Sequence, residues 1–383
     1  MGLAIKTLAV FSLVLPVVTR CRVAETDAPG ERADALFSDL VSASEPGAAV
    51  LVLKDGRAVF EGGWGVTDLR TKGPIGAHTN FRLASVTKQF TATAIMLLVR
   101  DGKLRYDDRL TDIFPDFPDY GRSMTVRHLL NHTSGLPDYE DLMPPADASL
   151  PVVEVQIKDA GVLGLLRTQK AGRFVPGARW AYSNSGYVVL GLIVEKISGR
   201  PFADFLNERI FVPLGMSGSV AYVRGRNEVP DRAYGHALKD GRWIENDQSP
   251  TSATLGDGGV YSSLADLAAW DEALSRNTLL SEADMRPALS PVRVAEAGPV
   301  GPDGTAAEYG FGWFLDPWKG RTRMWHYGET AGFRTAIQRF TGDGLTVIVL
   351  SNRDDLDARG LALRTAEFFL EGSRSAGGPD GVR

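Results

Sequence analysis

The sequence predicts a mixed α and β fold, with an antiparallel sheet built from strands near both ends of the chain, flanking helices, and an all-helical lobe inserted between them. Three observations lead there. Two β-rich runs, residues 48–54 and 57–60, are separated by Asp55-Gly56, a tight hairpin signal. Short apolar runs return at residues 310–315, 322–326, 334–340 and 345–351, the last two joined through Asp343-Gly344. Between the two ends, the apolar runs at 92–99, 126–130, 187–197 and 264–274 have helical character.

Taken in order, the chain starts with Lys6 and the apolar run 8–18, which is too short to span a bilayer at ~20 residues. Residues 1–24 therefore read as an export leader, which makes the expected location periplasmic or extracellular. Cys21 raises the alternative of a lipid anchor, although Arg20 stands where such a cleavage site wants a small residue. An amphipathic segment, 31–42, carries Leu36, Phe37 and Leu40 on one side. The sheet lobe is expected over about 31–80 and 255–370, the helical lobe over about 81–254, and a flexible tail over 371–383. Ser263 and Asp266 give the 264–274 helix a capping-box-like start. Polar or Pro/Gly-rich stretches at 138–151, 224–250 and 286–308 read as long surface loops.

Composition excludes more than it proposes. With 44% hydrophobic and 23% charged residues, the 383-residue chain has the make-up of a globular protein. The 42 basic and 47 acidic residues leave a net charge of -5, and no Lys/Arg run offers a surface to nucleic acid. The single cysteine excludes an internal disulfide, a thiolate-rich zinc site and an iron–sulfur cluster.

Three short motifs carry the chemistry. Ser85-Val86-Thr87-Lys88 opens an apolar helix, so the serine and lysine lie one turn apart on one face. A lysine there is desolvated and faces the positive end of the helix dipole, and both effects lower its pKa. Tyr182-Ser183-Asn184 stands at a loop-to-helix junction, and His326-Tyr327-Gly328 closes a strand. Each has an ordinary structural explanation: a capping serine, a packed aromatic, a strand histidine satisfied by a neighbour. All three in this order should coincide in roughly one random chain in a hundred.

On these motifs the chain resembles the serine β-lactamase and penicillin-binding-protein superfamily, in the branch holding class C β-lactamases, D-alanyl-D-alanine carboxypeptidases, D-aminopeptidases and related esterases. The resemblance runs from about Ala48 to Asn352. It includes Leu53-Lys54-Asp55-Gly56-Arg57, Phe81-Arg82-Leu83-Ala84-Ser85, Val126-Arg127-His128-Leu129-Leu130, His132-Thr133-Ser134-Gly135-Leu136 and residues 256–262. It implies a β-lactamase/transpeptidase-like fold with the active site between the sheet and the helical lobe. It also implies a serine acyl hydrolase acting through an acyl-enzyme on esters, D-amino-acid amides or peptides, or β-lactams. Ser85 is then the nucleophile, with Lys88 and Tyr182 as candidate bases whose reference pKa values lie near 10.4 and 10. The family branch favours Tyr182 acting with Lys88. Asn184 orients Lys88 and the substrate, and the backbone N–H groups of Ser85 and Glu329 form the oxyanion site beside Gly328.

His326 departs from the lysine common at that position, so a substrate carboxylate should be held more weakly and in a pH-dependent way. Arg334, Arg353 and Arg359 are candidates to restore such a site. No cofactor is implied, and the expected partner is a small ester, amide, β-lactam or peptidoglycan-like peptide. Membrane attachment is expected only through the N-terminus.

Rival readings are weaker. No Gly-x-Ser-x-Gly elbow is present for an α/β-hydrolase. A metallohydrolase would start from His128 and His132 but lacks a third ligand, and Gly135 suggests two histidines in a helix's last turn. A non-hydrolytic penicillin-binding or sensor protein, acylated without efficient turnover, is the alternative of another class.

Overall fold

The computed structural model describes residues 28–371 apart from residue 148. The leader with Cys21 and the tail beyond Glu371 lie outside the described residues. The described residues form ten strands in chain order: β1 (Ala48–Lys54), β2 (Arg57–Trp64), β3 (Phe81–Arg82), β4 (Val220–Ala221), β5 (His236–Lys239), β6 (Arg242–Glu245), β7 (Val260–Ser262), β8 (Met324–Thr330), β9 (Phe333–Phe340) and β10 (Leu345–Ser351). Five of them form the main sheet, in the order β2-β1-β10-β9-β8, and every neighbouring pair is antiparallel. The two ends of the chain therefore meet at its centre, where Ala48 faces Ser351 and Lys54 faces Leu345.

The unbroken apolar run of β1 is explained by burial on both faces. Ala48, Val50 and Val52 join Phe37, Phe340, Val347 and the Ala358–Glu371 helix in one core, while Ala49, Leu51 and Leu53 face a larger core filled by the helices of the middle segment. The Ala28–Leu36 and Ala358–Glu371 helices cover the outer face together, and Arg32 pairs with Glu371 at 3.0 Å. Against the inner face lies the Leu264–Ser275 helix, and the Lys88–Arg100 and Asn184–Ser198 helices pack on each other within the same larger core.

Several expectations need correction. The segment 81–254 is not all-helical: β3 and β4 flank β7 in a three-stranded sheet, and β5 and β6 make a hairpin inside the stretch expected as loop. That hairpin turns on Leu238-Lys239-Asp240-Gly241-Arg242, a second copy of the wording at 53–57. Asp240 and Gly241 have φ 49° and 72°, beside 50° and 76° at Asp55 and Gly56, the left-handed pair that a tight hairpin demands. Residues 310–315 make only isolated bridges, because the main chain there bends back on itself, with Gly310 N donating to Trp313 O at 2.9 Å. β8 starts later than expected and runs through to Thr330. A short helix, Tyr139–Leu142, occupies part of the 138–151 loop. At the Leu264–Ser275 helix only half the capping box forms. Ser263 caps Asp266 N, but the Asp266 carboxylate instead accepts from Gly218 N at 3.0 Å and Ser219 Oγ at 2.7 Å.

Asn352 ties these parts together from a fully buried position. Its Oδ1 accepts from Gly47 N at 2.8 Å, and its Nδ2 donates to Val66 O and Tyr234 O at 3.0 Å each. Asn352→Ala should strand these groups without water and lower unfolding stability by about 3 kcal/mol. A guanidinium unfolding midpoint equal to that of the unaltered protein would show the knot to be dispensable.

Candidate active site

Ser85 sits in a single 3-10 turn, Ala84–Thr87, that leads directly into the Lys88–Arg100 helix. The turn is pinned from three directions. Leu83 N donates to Val260 O at 2.8 Å, Leu83 O accepts from Thr335 Oγ1 at 2.8 Å, and Thr87 Oγ1 accepts from Val260 N at 3.1 Å. Ala84, the residue before the serine, has φ 48°, a left-handed conformation unfavourable for alanine that this surrounding network over-determines.

Lys88 is completely buried, yet among the described residues no carboxylate contacts it within hydrogen-bond distance. Its Nζ donates to Ser85 Oγ, Asn184 Oδ1 and the main-chain O of Asp257, each at 2.9 Å. The ammonium also lies 5.0 Å from the Tyr182 ring centre and 5.5 Å from that of Tyr187. Loss of hydration pushes its pKa down to about 8, against the pull of Asp257, Glu140 and Asp138. The same loss of water moves the Tyr182 phenol the other way, above its ordinary value, while the Ser85 hydroxyl beside it acts in the opposite sense. Burial thus favours neutral forms of both groups.

Asn184 begins the Asn184–Ser198 helix, capped by Ser183, whose Oγ accepts from Gly186 N at 3.1 Å. With Oδ1 committed to Lys88, the amide turns its Nδ2 towards Glu140 Oε1 at 3.3 Å. Gly328 permits the closest approach in the site. A Cβ there would stand 2.1 Å from Leu83 O and 2.5 Å from Thr335 Oγ1, so only glycine lets β8 lie against the serine turn. Glu329 follows it, with Ser85, on the wall of a cleft of about 70 Å³.

His326 is not where a substrate carboxylate could be read. Its ring is fully buried, with Nε2 3.2 Å from Tyr309 Oη and Nδ1 2.7 Å from Tyr327 O, and desolvation pushes its pKa down to about 3. The expected pH-dependent grip on a carboxylate is therefore lost, because the imidazole is neutral and turned into an aromatic cluster. Arg353 and Arg359 are engaged elsewhere, by Asp355 at 2.6 Å and Asp303 at 3.2 Å, and Arg334 donates to the carbonyls of Thr330 and Phe333. The two histidines weighed as metal ligands also part. His128 is the third residue of its helix and completes a capping box with Thr125, whereas His132 lies beyond the helix at φ 61°. Among the described residues no group of three His, Cys, Asp or Glu is arranged to hold a metal ion.

Residues outside the three motifs also line the cleft: Arg82, Tyr139, Glu140, Thr251, Thr254 and Asp257. The signal for Asp257 lay in Gly256-Asp257-Gly258-Gly259, since Gly256 packs against the main chain of Tyr187 with no room for a Cβ. Glu140 carried no sequence signal of its own.

Residues 33–370 match the Beta-lactamase family. The chain belongs to the β-lactamase family of serine hydrolases. Within that family it is 35% identical over 354 residues to penicillin-binding protein 4* of Bacillus subtilis strain 168, covering 88% of this chain and 75% of the relative. It is 32% identical over 309 residues to a D-aminopeptidase of Brucella anthropi, covering 80% of this chain and 56% of that longer relative. A solved structure of D-amino acid amidase from Ochrobactrum anthropi SV3, complexed with L-phenylalanine amide, superposes with a TM-score of 0.75 at 25% identity, covering 91% of this chain and all of that one. The β-lactamase-like fold and the antiparallel sheet flanked by helices are as expected.

Two outcomes follow from this geometry. If the neutral Lys88 amine is the base, kcat/KM for an uncharged ester should rise about tenfold per pH unit below pH 8 and level off above it. A profile flat from about pH 6 to about pH 9 would remove Lys88 from that role. Gly328→Ala should push β8 off the serine turn and slow labelling of Ser85 by a fluorophosphonate about a hundredfold. Unchanged labelling kinetics would mean that the close approach has no part in reactivity.

Proposed function

We propose that this chain is an acyl-enzyme hydrolase for amides or esters of amino acids or short peptides that carry a free ammonium beside the scissile carbonyl. The observation that carries the chemistry is the 2.9 Å contact between the Ser85 hydroxyl and a buried lysine of lowered pKa. In this reading Lys88 takes the hydroxyl proton as Ser85 Oγ bonds to the carbonyl carbon. Tyr182 passes that proton to the departing nitrogen or oxygen as its bond to carbon breaks. Water then attacks the ester formed on Ser85 and releases the acid. Ser85 N and Glu329 N are proposed to hold the developing oxyanion.

The ammonium preference is supported by what surrounds the reacting centre. Glu140 reaches the Nδ2 side of Asn184, where a substrate's α-substituent would lie, and Asp138 and Asp257 add to the negative potential there. His326, neutral and buried, supplies no opposing charge. The names of two relatives, a D-aminopeptidase and a D-amino acid amidase, fit a substrate of this kind and add the D configuration to the proposal. Export belongs to the proposal as well, on the leader-like pattern of residues 1–24.

A panel of D-alanine p-nitroanilide, its L isomer, a short-chain p-nitrophenyl ester and a chromogenic cephalosporin tests this, with Ser85→Ala as control. Turnover is expected for the D-anilide and the ester, and none for any substrate with Ser85→Ala. Glu140→Gln should raise KM for the D-anilide about threefold to tenfold, a screened charge at the rim of the cleft, and leave the uncharged ester unaffected. Hydrolysis of the cephalosporin alone would overturn the substrate class, and stoichiometric labelling without turnover would make the protein a sensor.

A further inference from the structure

His132 takes no part in the chemistry just described, yet it grips the segment that carries Tyr182 from both sides. Its main-chain O accepts from Ala181 N at 2.9 Å, and its ring Nδ1 accepts from Ser183 N at 3.1 Å. The two residues flanking the tyrosine therefore hang from one histidine. The imidazole also packs against the phenol ring itself, with centroids 4.3 Å apart and planes inclined by 34°. Tyr309, Tyr187 and Trp180 close round the other sides, at 4.7, 5.1 and 5.8 Å.

The main chain at His132 has φ 61°, and the residue is completely buried. Such a conformation is uncommon away from glycine, asparagine, aspartate and histidine. It allows the carbonyl and the ring of one residue to face the same strand of backbone. A ring nitrogen that accepts from an amide carries no proton, so the ring proton resides on Nε2, which has no partner among the described residues. Burial and the nearby Lys88 hold the imidazole neutral. It is thus a fixed acceptor across the working pH range rather than a titrating group.

We propose that His132 is the positioning residue that sets Tyr182 over Ser85, acting through the amides of Ala181 and Ser183 and through ring contact. The inference rests on the reading of Tyr182 as the proton-passing group. It goes beyond that reading by assigning to a histidine outside the three motifs the geometry on which the second of them depends.

The test measures the acylation burst with a p-nitrophenyl ester in His132→Leu, His132→Asn, Tyr182→Phe and the His132→Leu/Tyr182→Phe double variant. Leucine fills the space without an acceptor. Asparagine keeps an acceptor close to the Nδ1 position and tolerates the left-handed backbone. His132→Leu is expected to slow acylation about a hundredfold with KM nearly unchanged, and His132→Asn to recover most of that loss. The double variant should be no slower than Tyr182→Phe within about threefold, because a displaced tyrosine and an absent one fail in the same way.

Losses that multiply in the double variant would overturn the proposal, as would equal damage from leucine and asparagine. Normal acylation by His132→Leu beside a crippled Tyr182→Phe would overturn this inference alone. Full activity in Tyr182→Phe would remove the reading beneath it and the inference with it. Should His132→Leu fail to fold by circular dichroism, His132→Gln, which displaces the acceptor by one methylene, takes its place and must slow acylation where His132→Asn does not.

Discussion

A lysine amine sealed from water, with three oxygen atoms around it, is the constraint on which the rest of this molecule depends. Lys88 Nζ meets Ser85 Oγ, Asn184 Oδ1 and Asp257 O, which come from three separate stretches of chain. An ammonium has three protons, and each finds an acceptor here. A neutral amine has two protons and a lone pair, so one partner must become the donor. The Asn184 and Asp257 oxygens can only accept. The Ser85 hydroxyl alone carries a proton to offer, so the deprotonated state of the site already directs the lone pair at the Ser85 hydroxyl. Without any carboxylate in contact, the charged form lacks the partner that usually keeps a buried lysine protonated, and the balance between the two states falls near neutral pH.

This convergence explains why the fold is arranged as it is. The sheet is closed by the two ends of the chain, so the middle segment is held at both of its roots and cannot drift from the inner face. Ser85 and Lys88 enter from β3, Asn184 from the head of its helix, and Asp257 from the approach to β7, which pairs with β3. The same β7 residue, Val260, bonds Leu83 on one side of the serine turn and Thr87 on the other. The unfavourable φ of Ala84 persists because these bonds leave the turn no other course. Gly328 then admits β8 to the remaining side. The conformation of the turn is thus secured by packing and hydrogen bonds that any local loosening would relax.

Much of this was legible in the sequence, for reasons that differ from residue to residue. Strand β1 announced itself by an apolar run that only two-sided burial rationalises, and Ser85 and Lys88 by a spacing that one helical turn enforces. The second hairpin was equally legible, since 238–242 repeats the wording of 53–57, but it was masked by the polar residues around it. The environment of His326 was not legible. A strand histidine has two faces to choose from, and the tertiary contact with Tyr309 and Phe314 decides between them. Asp257 acts through its main-chain oxygen, which every residue type possesses. Glu140 meets Asn184 across 44 positions of chain. Such roles are created by the fold and leave no local imprint.

The charge around the cleft carries the last step. Glu140, Asp257 and Glu329 line it with three carboxylates, and Arg82 opposes them with one guanidinium, whose Nε and Nη2 are already bound to the carbonyls of Gly258 and Ser252. The hydrolysis proposed for Ser85 would create a carboxylate inside that negative wall. On the proposed function, a substrate ammonium would be attracted as it enters, whereas the released acid keeps that ammonium and gains a carboxylate that the same groups repel, so the product would be held more weakly than the substrate. A site with lysine at position 326 would reverse the second effect by holding the product carboxylate. The buried, neutral His326 therefore reads less as a weakened anchor than as the removal of one, in keeping with the proposed function, in which the product would leave past these carboxylates.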